Sequence, residues 1–234
     1  MTEMQQALQA GLTRLHLQVE EDTAMRLCAF GEAVIEKNKV MNLTAITEPA
    51  AVAELHLLDS LTLCKILPLA GKRLLDVGTG AGFPGVPLKL AEPTLSLTLL
   101  DSLQKRMRWL ELEALPALGV EATCLAQRAE EAVKTRRAQF DVVTSRAVAR
   151  LPLLCELCLP FVCRGGYFLA MKGQDAEAEL TEAARAIKVL GGAWERTETF
   201  EIGGAAHRVL VIRKTGDTPP QYPRAWTRIR QKPL

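Results

Sequence analysis

Apolar residues recur at helical spacing over roughly the first 67 positions of the 234-residue chain. Leu8, Leu12 and Leu15 stand three and four residues apart, and Leu27, Phe30, Val34 and Ile35 follow the same rhythm. That spacing collects side chains on one face of an α-helix. A third stripe runs through Val52, Leu55, Leu58, Leu61 and Leu63 after Glu48-Pro49, and proline is well tolerated in a first helical turn. The pattern then changes. Short β-type runs, RLLDV (73–77), LSLTLLD (95–101), VEATCLA (120–126), FDVVTS (140–145) and YFLAMK (167–172), alternate with helical stretches. This alternation predicts a mostly parallel sheet wrapped by helices. A last amphipathic helix is predicted near 175–190, then strands at about 194–202 and 207–214 separated by Gly203-Gly204. So short a connection predicts an antiparallel hairpin at a sheet edge. One compact domain in three parts is expected: a helical N-terminal extension (1–67), an α/β core (68–214) and an irregular basic tail (215–234).

Composition narrows the class little further. With 48% hydrophobic and 24% charged residues the chain is an ordinary globular protein, which excludes a disordered or fibrous one. A net charge of +2 is too mild to argue for nucleic acid, but its distribution is uneven. Residues 1–70 hold 9 acids and 5 bases, residues 71–234 hold 18 and 24, and Tyr222–Leu234 holds four bases and no acid. No signal peptide is readable at the start, and no apolar run approaches the roughly 18 residues of a membrane span. A cytoplasmic monomer without a membrane partner is the expectation. The six cysteines, at 28, 64, 124, 155, 158 and 163, lie mostly in apolar stretches and suit reduced thiols. Cys155-x-x-Cys158 has the spacing of a zinc or redox pair, but LPLLCELCLPFVC has no histidine nearby and reads as a buried helix. No metal is expected.

The strongest local signal is Leu74-Leu75-Asp76-Val77-Gly78-Thr79-Gly80-Ala81-Gly82-Phe83-Pro84-Gly85. A buried strand enters a glycine-rich turn and then a helix, an arrangement that brings backbone amides close to a ligand. A phosphate-binding P-loop is excluded, because Gly85-Val86-Pro87 lacks the required Gly-Lys-Ser/Thr. Two readings remain besides a ligand-free turn. Gly80-x-Gly82-x-x-Gly85 matches a dinucleotide fingerprint, with Asp101 placed as a ribose acid. Asp76-Val77-Gly78-Thr79-Gly80-Ala81-Gly82 has the form of an S-adenosylmethionine loop, with an acid two residues before the first glycine. Asp101 ends the second strand, where it can hold a ribose or cap the helix near Gln104. Glu130 and Ala129 follow the third strand, Arg146 ends the fourth, and Lys172 ends the fifth. All stand at the strand edge that faces ligands in this fold class.

Taken together, NKVMNLT (38–44), HLLDSL (56–61), LLDVGTGAGFPGVPL, LLDSLQKR (99–106), AQRAEE (126–131), SRAVA (145–149), MKG (171–173) and the closing YPR…KPL resemble the bacterial RsmG (GidB) family over nearly the whole chain. The resemblance implies a Rossmann-like, seven-stranded S-adenosylmethionine-dependent methyltransferase fold. It also implies methylation of guanine nitrogen-7 in 16S ribosomal RNA, free or in the small subunit. Cofactor contacts are implied at Gly78, Phe83, Ala129, Glu130 and Arg146, to which the loop reading adds Gly80 and Asp101. The chain departs from the family pattern at Leu55, where a basic residue is expected, and at Arg224-Ala225-Trp226-Thr227, where a Pro-Gly-containing stretch is expected. No catalytic base is expected, since guanine nitrogen-7 carries a lone pair in the base plane and the enzyme's task is alignment. The three histidines (16, 56, 207) are then free for structural or RNA roles. Lys172, Arg224, Arg228 and Arg230 are candidate RNA contacts, with Tyr222 and Trp226 able to stack on unpaired bases. The rival classes are a nicotinamide-dependent oxidoreductase, which lacks a convincing catalytic pair here, and a non-catalytic ribosomal RNA-binding or assembly protein.

Overall fold

The computed structural model describes residues 1–234. Seven strands form one sheet in the order β3-β2-β1-β4-β5-β7-β6. They are β1 (Arg73–Val77), β2 (Ser96–Asp101), β3 (Thr123–Ala126), β4 (Phe140–Arg146), β5 (Val162–Lys172), β6 (Gly192–Ile202) and β7 (Ala205–Lys214). β1 to β5 pair in parallel, and β7 lies antiparallel between β5 and the edge strand β6.

β1 is buried from Leu74 to Val77 because helices cover both faces of a parallel sheet. Alternate residues therefore feed two cores. Leu74, Leu97, Leu99 and Val142 pack with Met4, Leu8, Leu27 and Phe30 of the N-terminal helices. Leu75, Val77, Leu100 and Val143 pack on the opposite face with Leu154, Cys155 and Cys158. Both of these cysteines are buried, and burial pushes their thiols up, which leaves them as packing residues.

The N-terminal helices are Glu3–Arg14, Glu21–Met41 and a helical stretch over 49–65. The first is fixed by a reciprocal cap in which Thr2 accepts from the Gln5 amide and the Gln5 side chain from that of Thr2. The third opens into a π-helical turn over Ala53–Leu58 and continues at Asp59. That wide turn carries His56 and the Leu55 carbonyl to the site described below.

Gly203 and Gly204 have φ of +57° and +76°, so the β6–β7 connection is the two-residue turn that needs two left-handed residues. A Cβ on Gly203 would lie 2.7 Å from Leu55 Cδ2, which seats the hairpin tip on the N-terminal helices.

Three sequence expectations change. β3 spans Thr123–Ala126 rather than 120–126, because only these residues pair with β2, while Val120 packs in the core before it. β5 begins at Val162, five residues earlier than expected, across an irregular register between Phe140 and Val142. The tail is not irregular. It ends in a helix, Trp226–Gln231, whose Ile229 is fully buried. Arg224 binds Glu156 through its amide and the Nε–Nη2 edge of its guanidinium at 2.6–2.8 Å. Glu156 is 0% exposed, and a carboxylate so buried demands partners. No helix is long and apolar enough to cross a membrane.

Candidate active site

The strand order reverses between β1 and β4, and their loops diverge there to leave a crevice at the carboxyl edge. Gly78 and Gly80 turn the chain after β1 with φ of +72° and +58°. The Gly78 N–H donates to the Leu100 carbonyl at 2.7 Å. A Cβ added to Gly78 would meet Val148 Cγ2 at 2.3 Å. Glycine is thus required both by backbone angle and by space.

Asp101 holds this loop. Its Oδ2 accepts from the Gly80 N–H at 3.0 Å and its Oδ1 from the Leu103 N–H at 2.8 Å. The helix from Gln104 is entered through Leu103, so Asp101 is not its cap, although each of its oxygens keeps a free lone pair. Gly78, Asp101, Ala129, Glu130, Val148 and Trp226 line a crevice of about 300 Å³.

Asp76 separates the two nucleotide readings. It is fully buried, and Oδ2 accepts from Thr79 Oγ1 at 2.6 Å and from the Gly85 N–H at 3.0 Å. Its Oδ1 has no partner. Burial raises its pKa to about 6 against the lowering effect of those two donors. In dinucleotide sites the diphosphate lies at this helix start. Here the Gly85 amide is already taken by the protein's own carboxyl group, which disfavours a second anion.

A larger cleft of about 680 Å³ adjoins the crevice, and the two share Ala147 and Val148. Arg146 ends β4 within it. Its Nη1 donates to the Leu55 carbonyl at 2.8 Å and to Asp59 Oδ2 at 3.0 Å, and its Nη2 reaches His56 Nδ1 at 3.1 Å. His56 Nδ1 also lies 3.0 Å from the Leu55 carbonyl, and its Nε2 hydrogen-bonds Thr44 Oγ1 at 2.8 Å. Burial and the neighbouring Arg146 charge lower the His56 pKa to about 4, which agrees with a neutral ring. His207 on β7 binds Asp59 Oδ1 at 2.8 Å, and this hydrogen bond raises its pKa.

Phe83 does not line the crevice. It is 4% exposed, its ring stacks on His56 at 4.7 Å, and the Arg146 guanidinium carbon lies 5.3 Å above it. It therefore supports the network from beneath. Lys172 lines the larger cleft, but its Nζ is held by the Ala149 carbonyl at 2.6 Å and Glu179 at 2.8 Å. Arg224 is likewise committed to Glu156 rather than offered to RNA. Arg228 and Arg230 are exposed on the tail helix. The structure thus gathers Gly78, Asp101, Ala129 and Glu130 in one cavity and Arg146 and Lys172 in the next.

The partnership of Asp59 with His207, and the role of Glu156, leave no periodic signal in the sequence. An acid inside an otherwise apolar helix, as in LPLLCELC, was the one local sign.

The family model described as GidB, rRNA small subunit methyltransferase G, matches residues 24–209. A ribosomal RNA small subunit methyltransferase G from Desulfitobacterium hafniense is 41% identical over 225 residues, covering 94% of this chain and 93% of that one. The protein of the same name from Pelotomaculum thermopropionicum is 42% identical over 230 residues, covering 96% of each. Among solved structures, the antibiotic-resistance methyltransferase Kmr superposes with a TM-score of 0.53 at 19% identity, over 67% of this chain and 93% of its own. A SAM-dependent O-methyltransferase from Thermotoga maritima gives 0.56 at 16% identity, over 80% and 73%. These two likenesses show a shared fold.

Proposed function

The chain belongs to the rRNA small subunit methyltransferase G family, and we propose that it transfers a methyl group from S-adenosylmethionine to nitrogen-7 of a guanine in 16S ribosomal RNA. The observation that carries this reading is the junction of the two cavities at Ala147-Val148. One cavity suits the methyl donor and the other the base that receives it.

The residues of the smaller crevice fit the donor. Gly78 packs against Val148 on the crevice wall, Asp101 retains lone pairs for ribose hydroxyls, and Val77, Leu100 and Leu157 supply apolar walls. Glu130 and the Ala129 backbone stand on the adenine side. S-adenosylmethionine, when bound, supplies a methyl group made electrophilic by its sulfonium. Guanine nitrogen-7 needs no proton removed, so the larger cleft has only to hold the base in line. Arg146 suits that task because its guanidinium is fixed by Asp59, His56 and the Leu55 carbonyl and is planar. Exposed Arg228 and Arg230 supply phosphate contacts that position RNA without reading it. A cytoplasmic site of action goes with such a substrate.

Mapping of modified bases by mass spectrometry, in ribosomal RNA from cells lacking the protein, tests the reading. One guanine should lose its nitrogen-7 methyl group and regain it on complementation. An unchanged modification pattern would favour a non-catalytic RNA-binding role. Calorimetry with S-adenosylmethionine and with NADH separates the donor from a nicotinamide.

A further inference from the structure

The tail helix places one aromatic residue where no cofactor contact was expected. Trp226 lines the small crevice beside Ala129 and Glu130, and it is partly buried against the same core as Leu125 and Ala129. Its position is set by anchors on either side. Upstream, Arg224 is clamped on the fully buried Glu156, and Arg137 donates to the Tyr222 carbonyl. Downstream, Ile229 is fully buried. The exposed bases of the same helix, Arg228 and Arg230, face solvent. Trp226 and the buried Ile229, three residues apart, thus share the inward face of this short helix.

We propose that Trp226 is a wall of the cofactor site and packs its indole against the adenine of S-adenosylmethionine. The proposal rests on the crevice being the S-adenosylmethionine site. An indole offers a large rigid π-face at low entropic cost, and every purine has a face to meet it. The other crevice groups near the adenine side are a carboxylate and small or polar side chains, so Trp226 is its one large aromatic surface.

Calorimetry with S-adenosylmethionine on the full-length protein is the test, with wild type, Trp226→Phe, Trp226→Leu and Trp226→Ala compared. Stacking of a base on an aromatic ring is worth about 1–3 kcal/mol, so Trp226→Ala should raise Kd by ~10-fold. Trp226→Phe should restore most of the affinity, whereas Trp226→Leu, with similar apolar bulk, should restore little. Thermal melting accompanies each variant. Should Trp226→Ala lose its fold, the ordering of Phe over Leu decides. A second readout uses folded Trp109→Phe/Trp194→Phe protein, in which Trp226 is the only tryptophan left. Its emission should be quenched as S-adenosylmethionine is added. Unaltered Kd in folded variants together with unaltered emission would overturn the assignment. A wild-type protein that does not bind S-adenosylmethionine would instead overturn the reading of the crevice.

Discussion

Arg146 and Asp59 are 87 residues apart in sequence and 3.0 Å apart in space, both largely shielded from solvent. Asp59 takes Arg146 on one carboxylate oxygen and His207 on the other. It therefore joins the end of β4 to the start of β7 across the floor of the larger cleft. Removing one partner of a pair so placed leaves a charge without compensation.

Arg146→Lys should keep the charge and the fold but lose most methyl transfer. A lysine can retain Asp59 but cannot also reach the Leu55 carbonyl and His56 in a plane. The expected loss is at least tenfold, about 1.4 kcal/mol of transition-state stabilisation. Tritiated methyl incorporation into the small subunit, paired with thermal melting, measures it, and near-normal turnover would remove Arg146 from the site.

Gly78→Ala should weaken S-adenosylmethionine binding. The substitution puts a Cβ at φ +72° and 2.3 Å from Val148 Cγ2. Left-handed backbone costs a non-glycine residue roughly 1–2 kcal/mol, and relief by moving Val148 would disturb the shared wall of both cavities. Calorimetry against wild type checks this, and an unchanged Kd would exclude Gly78 from the cofactor contacts.

His56 should make stability fall on acidification. Its pKa is lowered from 6.5 in the unfolded chain to about 4 in the fold. The stabilisation is present above pH 6.5 and is lost as pH drops toward 4, by on the order of 3 kcal/mol. Asp76 has the opposite sign, since its pKa rises from 3.8 to about 6 and its stabilisation is lost as pH climbs through that window. The two contributions oppose each other over this window, and His56→Asn should change the slope of stability against pH in denaturant titrations at pH 4 to 7. A variant profile parallel to wild type would count against a neutral buried His56.

Arg224→Ala should destabilise the protein by about 3–5 kcal/mol, because it strands the buried Glu156 carboxylate. Arg224→Met/Glu156→Leu should recover most of that loss. Urea unfolding of the single and double variants gives the coupling, and equal midpoints for Arg224→Ala and wild type would show a dispensable pair.

Arg228→Ala/Arg230→Ala should weaken RNA binding and flatten its salt dependence by up to about two released counterions. Both side chains are exposed, so melting temperature should stay put. Filter binding at several salt concentrations reads the slope.

What the sequence made legible is what short segments decide by themselves. RLLDV became β1 over the same residues, and the hairpin at Gly203-Gly204 formed at the expected edge, because periodicity and turn chemistry are local. The glycine loop, Asp101 and Arg146 came together because strands of an α/β sheet end on one side. Hidden were the pairings that only tertiary folding creates. Glu156 and Arg224, Asp59 and His207, and the seat of Trp226 join segments 68 to 148 residues apart or more, with no periodicity connecting them. The tail reads as irregular because its four prolines interrupt any helical period, yet the buried Ile229 and one ion pair dock it.

Hairpin tips are ordinarily where a chain accepts insertions and sequence drift without consequence. The Gly203-Gly204 tip is denied that freedom. It rests on Leu55, whose carbonyl receives Arg146, and three residues later β7 delivers His207 to Asp59. Adding one residue at the turn would slip β7 against β5 and turn His207 to the other face of the sheet. The length of this edge turn is therefore coupled to the geometry of the cleft, through Leu55 on one side and His207 on the other.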